Sequence, residues 1–257
     1  VEPKKLKTIQ VPHSSFLHKD ITLLQGEVTK VETTDSSVTY TPKGSQVEET
    51  LSYDYLVITS GSRYNLSFTN PNIICTTKGS HLVDTRDKLQ TSDSVIIVGG
   101  GYVGVELAAE IITEYPKKKV VLVHNGSRLL SRSSERASKY ALNFFQKRGV
   151  EVYLNEKIDF ESIKNQEKPF ESSHEVVFES NSGKTFEGNL AYVCIGISPN
   201  ASYIVNDNFK DNGKIKVNEY FQTSIASNVF ACGDVCSVNE EKLAQSALAG
   251  AWTTAGN

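Results

Sequence analysis

The sequence predicts an α/β fold built on a parallel sheet, and three observations point to it. Residues 95–98, Val-Ile-Ile-Val, are apolar on both faces, as expected of a strand covered on both sides inside a parallel sheet. Gly99, Gly101 and Gly104 follow at once with the spacing Gly-x-Gly-x-x-Gly. A helical run and a second apolar strand at residues 120–123 then complete a βαβ order.

That glycine spacing cradles a dinucleotide pyrophosphate. The first glycine permits the tight turn, the second lets the pyrophosphate approach the backbone, and the third lets the helix pack closely on the strand. The phosphates would sit at the positive end of the helix. In that helix Val103, Leu107, Ala108 and Ile111 make an apolar stripe, and Pro116 ends the run.

The remaining elements follow in chain order. Residues 21–58 read as a β-meander leading into a core strand, with Val28 and Val31, then Val38 and Tyr40, between polar turns at 33–37 and 42–45. Residues 53–59 read as a buried parallel strand ending in the small-residue turn Ser60-Gly61-Ser62. Residues 71–94 are polar, with a short helix over 80–89.

Beyond the second apolar strand, a helix is expected over 134–148, with Ala137, Ala141, Phe144 and Phe145 inward and Gly149 as terminator. A strand at 150–154 comes next, then a hairpin whose arms at 175–178 and 185–187 flank a turn at 181–184. Residues 190–195 form another buried strand, running into Gly196. This order is the layout of a nicotinamide-binding domain inserted into something larger. Finally, residues 228–234 are a strand ending in Gly233-Asp234, and Lys242 opens an alanine-rich helix over 243–255. A carboxylate at a strand end beside a helix N-terminus suits ribityl or ribose hydroxyls near a pyrophosphate.

Composition narrows the partners. With 27 basic and 30 acidic residues the net charge is −3, and the basic residues are scattered apart from Lys117-Lys118-Lys119, which argues against nucleic acid. No apolar run reaches the ~18 residues that a membrane span needs. Cys75, Cys194, Cys232 and Cys236 show no paired metal-binding spacing and read as reduced cysteines. The chain starts Val1-Glu2-Pro3 and contains no methionine, so the natural start is expected upstream.

Four segments together resemble the FAD-dependent pyridine nucleotide-disulfide oxidoreductase superfamily in order and spacing. They are Leu56-Val57-Ile58-Thr59-Ser60-Gly61-Ser62, the glycine motif through Glu106, Ile195-Gly196 with Pro199-Asn200, and Val229-Phe230-Ala231-Cys232-Gly233-Asp234. Within it, Ala108-Ala109-Glu110-Ile111-Ile112-Thr113-Glu114-Tyr115-Pro116, Val121-Leu122-Val123-His124 and Lys216-Val217-Asn218-Glu219 resemble the apoptosis-inducing factor 2 group, also called the ferroptosis suppressor protein 1 group.

The resemblance implies two Rossmann-like dinucleotide-binding domains, the NAD(P)H domain at 89–205 inserted in an FAD domain made of 1–88 and 206–257. It implies hydride transfer from nicotinamide to flavin and on to a quinone or other small electron acceptor. The cofactors carry that chemistry and the protein aligns them. On this reading Gly99, Gly100, Gly101, Tyr102, Val103 and Gly104 take the NAD(P)H pyrophosphate, with Ile195 and Gly196 beside it. Glu106 lies near the nicotinamide carboxamide, Thr59, Ser60 and Gly61 line the FAD pyrophosphate, and Val28 meets adenine. Gly233 and Asp234 hold the ribityl chain, while Lys242, Leu243 and Ala244 approach the flavin ring; Glu106 and Lys242 are the catalytic candidates.

The resemblance also implies a further strand and glycine motif upstream of residue 1, more chain beyond Asn257, and homodimer formation. It leaves two locations open, cytoplasmic with peripheral membrane attachment through an N-terminal lipid, and mitochondrial. The superfamily's Cys-x-x-x-x-Cys pair is absent from the sequence, which favours a quinone, oxygen or dye as acceptor.

One selectivity argument rests on the residues themselves. A fold selecting NAD usually places Asp or Glu at the end of its second strand to bind the ribose 2′-hydroxyl. Here His124 stands there, followed by Asn125 and Ser127, with Arg128 nearby, so a 2′-phosphate meets no carboxylate and NADPH should be tolerated. The competing readings are a flavoprotein-derived subunit that no longer turns over and serves a structural or docking role, and a monooxygenase-like member of the two-dinucleotide class.

Overall fold

The computed structural model describes residues 11–64, 66–75, 81–164 and 176–256. The expected helix start at Ser80 and hairpin start at Glu175 lie outside the described residues. Two compact units divide the chain, one formed by Leu66–Gly196 and the other by Pro12–Asn65 with Ile197–Asn257.

The first unit is a five-stranded parallel sheet with β1 (Ile73–Ile74), β2 (Ser94–Val98), β3 (Lys119–Val123) and β4 (Glu151–Tyr153); helices α1 (His81–Thr91), α2 (Tyr102–Glu114) and α3 (Glu135–Gln146) connect them. A short helix at Phe160–Lys164 and the antiparallel hairpin β5 (Val176–Glu179) and β6 (Thr185–Gly188) lead to the fifth strand, β7 (Leu190–Val193). The spatial order is β1-β7-β2-β3-β4. Val98 is in register with Val123 on one side and Val193 on the other. From β2 the chain winds outward through β3 and β4, then returns to β7 on the opposite side. The order therefore reverses at β2, and ligands of such sheets bind in the crevice at the carboxyl ends of the strands around that point.

Period-two alternation divides the strand side chains between two cores. Val95, Ile97, Val120, Leu122 and Leu190 face α2 and α3, meeting Ala108, Ile111, Ala141 and Phe145. Ile96, Val98, Val121 and Val123 face the other way. Parallel sheets usually carry helices on both faces. On this second face, however, the cover is chiefly the hairpin, whose Val176, Phe178 and Phe186 are buried there with Ile158. A hairpin arm alternates polar and apolar residues, so one apolar face suffices to close a sheet layer. Each fully buried Ile, Leu or Phe is worth roughly 1.5–3 kcal/mol.

Local signals set the helix ends. Ser134 accepts a hydrogen bond from the Ala137 N–H at 3.2 Å and caps α3. Gly149 ends the helical run with φ +73, a conformation favouring glycine. In α2 the inward residues are Gly104, Ala108, Ile111 and Ile112, while Val103 is 60% exposed, so the expected stripe through Val103 is corrected by one position. The helix approaches β2 so closely that a residue without a side chain must face the strand.

In the second unit a three-stranded antiparallel meander (Gly26–Glu32, Ser37–Pro42, Glu49–Ser52) is followed by Leu56–Ile58, which pairs in parallel with Val229–Ala231. The expected buried strand over 53–59 is shorter, and Val57 is 49% exposed. Among the described residues that strand has a single neighbour, and its side chains packed on the core are Ile58 and, in part, Leu56. Ser62–Tyr64 pairs antiparallel with Ile197–Pro199, and a final helix spans Ala244–Gly256. Cys232 and Cys236 are free thiols buried with Val229, Ala231 and Val235.

Candidate functional site

The carboxyl ends of β2, β3 and β7 continue the ladder by one residue before diverging. Gly99 N–H donates to Val123 O at 2.8 Å, His124 N–H to Tyr153 O at 2.8 Å, and Cys194 N–H to Val98 O at 2.7 Å. Divergence there opens a cavity of about 360 Å³ lined by Gly99, Gly100, Gly101, His124, Ile195 and Gly196, among others. The structure thus brings together six of the residues singled out in the sequence.

The three motif glycines do different work. Gly99 sits at φ +117, and a Cβ there would lie 2.4 Å from Cys194 O. At Gly104 a Cβ would lie 1.8 Å from Gly99 O, so strand-to-helix closeness excludes any side chain. A Cβ on Gly101, by contrast, meets nothing within 4 Å. No side chain among the described residues caps α2, which leaves its first-turn amides for an external acceptor. An open backbone beside an uncapped helix start fits a dinucleotide pyrophosphate.

His124 and Arg128, the candidates at the position that reads the ribose 2′-hydroxyl, both have partners within the first unit. The His124 ring lies between two glycines, since a Cβ on Gly100 would be 2.8 Å from its Cγ and one on Gly126 2.8 Å from its Nε2. Its Nδ1 accepts the Gly100 N–H at 3.1 Å, and its buried Nε2 has no partner with hydrogen-bond geometry among the described residues. Arg128 donates through Nη1 to Ser133 O at 3.0 Å and through Nη2 to Ser131 O. Tyr102, at the start of α2, hydrogen-bonds through its hydroxyl to Ser133 Oγ at 2.7 Å. These two residues brace the loop after β3. Glu106, exposed on α2, makes no ion pair or hydrogen bond among the described residues.

Burial lowers the pKa of His124, and the Arg128 backbone opposes this in part. Only the ring unprotonated at Nδ1 accepts the Gly100 N–H. Below the ordinary value of 6.5 the unfolded chain therefore binds a proton that the folded chain refuses. This stability is fully present above that pH and is lost as the pH falls. Thermal melts should accordingly fall more steeply between about pH 7.5 and about pH 5.5 in the parent than in His124→Gln; equal slopes would assign the dependence to another group.

Loop residues after β4 enter the same cavity, and sequence reasoning missed them. They are Glu156, Lys157, Ile158 and Phe160. No motif marks them, although the rule that ligands sit at strand carboxyl ends would have directed attention to the residues after the third strand. The Glu156 carboxylate is held by Ser180 Oγ and Ser182 Oγ, both at 2.7 Å, with Lys184 Nζ at 3.4 Å. Those hydroxyls, followed by Lys184, keep its pKa below the usual carboxylate range.

The second unit gathers another group of expected residues. Asp234 Oδ2 accepts from Ser62 Oγ at 2.6 Å, and no described residue bonds to Oδ1. Gly233 has φ +79. Lys242 donates to Gly233 O at 3.2 Å and Cys236 O at 3.0 Å, and lies 3.7 Å from Glu240. Within this unit its ammonium fixes the turn that presents Asp234. Ser60 Oγ donates to Asn200 O at 2.6 Å and so accepts from the Tyr203 hydroxyl at 2.7 Å, while Asn200 N–H reaches Gly61 O at 2.9 Å. The Thr59-Ser60-Gly61 turn is held from residues 140 positions away. Val28 lies in the meander opposite Tyr40, and Leu243 and Ala244 are exposed at the start of the last helix. An aspartate oxygen with spare acceptor capacity fits a polyol such as the ribityl chain of FAD.

Comparison with known proteins follows the same lines. The family model described as pyridine nucleotide-disulphide oxidoreductase matches residues 2–251. Apoptosis-inducing factor homolog A of Dictyostelium discoideum is 31% identical over 265 residues, covering 96% of this chain and 63% of that protein. Ferroptosis suppressor protein 1 of Mus musculus is 30% identical over 202 residues, covering 76% of this chain and 53% of that protein. The chain thus spans between about half and two thirds of the length of these relatives. Among solved structures, the water-forming NADH oxidase from Lactobacillus brevis bound to NADH superposes with a TM-score of 0.75 at 21% identity, over 90% of this chain and 52% of that one. An engineered water-forming NADPH oxidase bound to NADPH gives 0.73, also at 21% identity, with the same coverages. At that identity the likeness establishes the Rossmann-type fold.

Proposed function

The chain belongs to the pyridine nucleotide-disulphide oxidoreductase family, and from that premise we propose that it forms the NAD(P)H-binding domain and part of the FAD-binding domain of an NAD(P)H oxidoreductase with a quinone-type acceptor. The observation that carries the reading is the glycine turn at the sheet's reversal point, with Gly99 and Gly104 locked by backbone and Gly101 open. When bound, nicotinamide and flavin supply the hydride chemistry.

The chain's own residues bind and orient. Amides at the start of α2 receive the pyrophosphate, Gly101 gives it room, and Glu106 is available to the nicotinamide carboxamide. Asp234, set by Ser62 and the Lys242-braced turn, accepts from ribityl hydroxyls. No helix among the described residues is long and apolar enough to cross a membrane.

The test is the absorbance spectrum of the full-length protein, without oxygen, before and after NADH. A visible flavin band that bleaches with NADH and returns on adding a quinone is the expected result. A colourless protein unchanged by NADH would instead support the structural-subunit reading. Asp234→Ala should lower the flavin-to-protein absorbance ratio. Losing one hydrogen bond to a charged group, worth roughly 1.5–3 kcal/mol, weakens FAD binding by about tenfold to a hundredfold. An unchanged ratio would remove Asp234 from the flavin site.

A further inference from the structure

We propose that Lys157, on the loop after β4, is the cation that reads the 2′-phosphate of NADPH in this chain. The inference rests on the reading of the glycine-turn cavity as the NAD(P)H site, and it adds a residue outside the glycine motif.

The two residues at the usual selectivity position are committed elsewhere. The His124 ring is wedged between Gly100 and Gly126, with Nδ1 occupied by the Gly100 N–H. The Arg128 guanidinium serves the carbonyls of Ser131 and Ser133. Glu156 lines the cavity, but its carboxylate is turned onto Ser180, Ser182 and Lys184 of the hairpin, where its charge is compensated.

Lys157 lines the same cavity, is exposed, and its ammonium has no ion pair or hydrogen bond among the described residues. Its backbone N–H donates to Asn181 Oδ1 at 2.9 Å, which pins the loop from which the side chain leaves. Among the described charged residues that line the cavity, the charge left without a partner among them is thus a single cation. A dianionic phosphate is the natural partner for such a group, and a hydroxyl gains little from it. NADH and NADPH would both enter, with Lys157 setting the margin between them.

Calorimetric titration of the full-length protein with ADP-ribose and with 2′-phospho-ADP-ribose tests this without any redox step. Lys157→Gln should weaken 2′-phospho-ADP-ribose about tenfold, as expected for one lost charge-assisted contact, and leave ADP-ribose within about twofold. Lys157→Arg should restore most of the loss. If the parent binds both probes and Lys157→Gln weakens them equally, or weakens neither, the inference fails while the dinucleotide site stands. A loss confined to Arg128→Gln would likewise overturn it in favour of Arg128. Failure of the parent to bind either probe would bring down the cavity assignment, and this inference with it.

Discussion

Gly104→Ala is expected to destabilise the first unit by roughly 3 kcal/mol or more, the upper end of what overpacking costs. The added methyl would sit 1.8 Å from Gly99 O and 3.0 Å from Gly99 C, both backbone atoms of the turn, so no side chain can rotate away to relieve it. Either α2 lifts from β2 or the turn distorts. Lifting α2 would strip Ala108, Ile111 and Ile112 from the core they share with Val95 and Ile97. At about 3 °C per kcal/mol for a unit of this size, the melting temperature should drop by about 10 °C, or the protein should fail to accumulate in soluble form. An alanine variant melting within about 2 °C of the parent would show that the helix can yield at no cost.

Gly101→Val is expected to separate binding from folding. Its backbone, at φ −77 and ψ −171, is extended and open to any residue, and nothing lies within 4 Å of the new Cβ. Stability should therefore stay within about 0.5 kcal/mol of the parent, as for surface substitutions elsewhere. The branched side chain would occupy the approach to the first-turn amides. Losing two or so charge-assisted hydrogen bonds to a pyrophosphate corresponds to binding of ADP-ribose weaker by about a hundredfold or more. Unchanged affinity with an unchanged melt would move the pyrophosphate away from Gly101.

These two glycines also show what could be read from the chain beforehand. The strands at 95–98 and 120–123 were legible because four consecutive apolar residues fit a strand buried on both faces, and the glycine spacing fixed the turn between them. Ser134 as a helix cap and Gly149 as a terminator were legible because each satisfies a local backbone requirement.

What depends on closeness was hidden. The inward stripe of α2 begins at Gly104, and apolar periodicity cannot register a contact made by a residue without a side chain. That is why Val103 was misplaced by one position. Long-range polar pairings were equally invisible, since Ser62 meets Asp234 across 172 positions and nothing local marks either as the other's partner. Lys157 belongs to a site defined by where parallel strands end side by side, which one strand's sequence does not encode. The carbonyl contacts of Lys242 and of Arg128 were equally hidden, since nothing local in the sequence marks the backbone groups that each side chain meets.

The histidine after β3 also bears on attempts to re-engineer coenzyme choice. Grafting an aspartate at position 124 would remove a strut as well as add a charge, emptying the gap between Gly100 and Gly126 and orphaning the Gly100 amide. A charge grafted there is therefore tied to the rigidity of the turn. A lineage or a designer replacing the histidine must refill the gap from position 126 in the same step, because a side chain at 100 would also meet Leu129 Cδ2 at 2.6 Å.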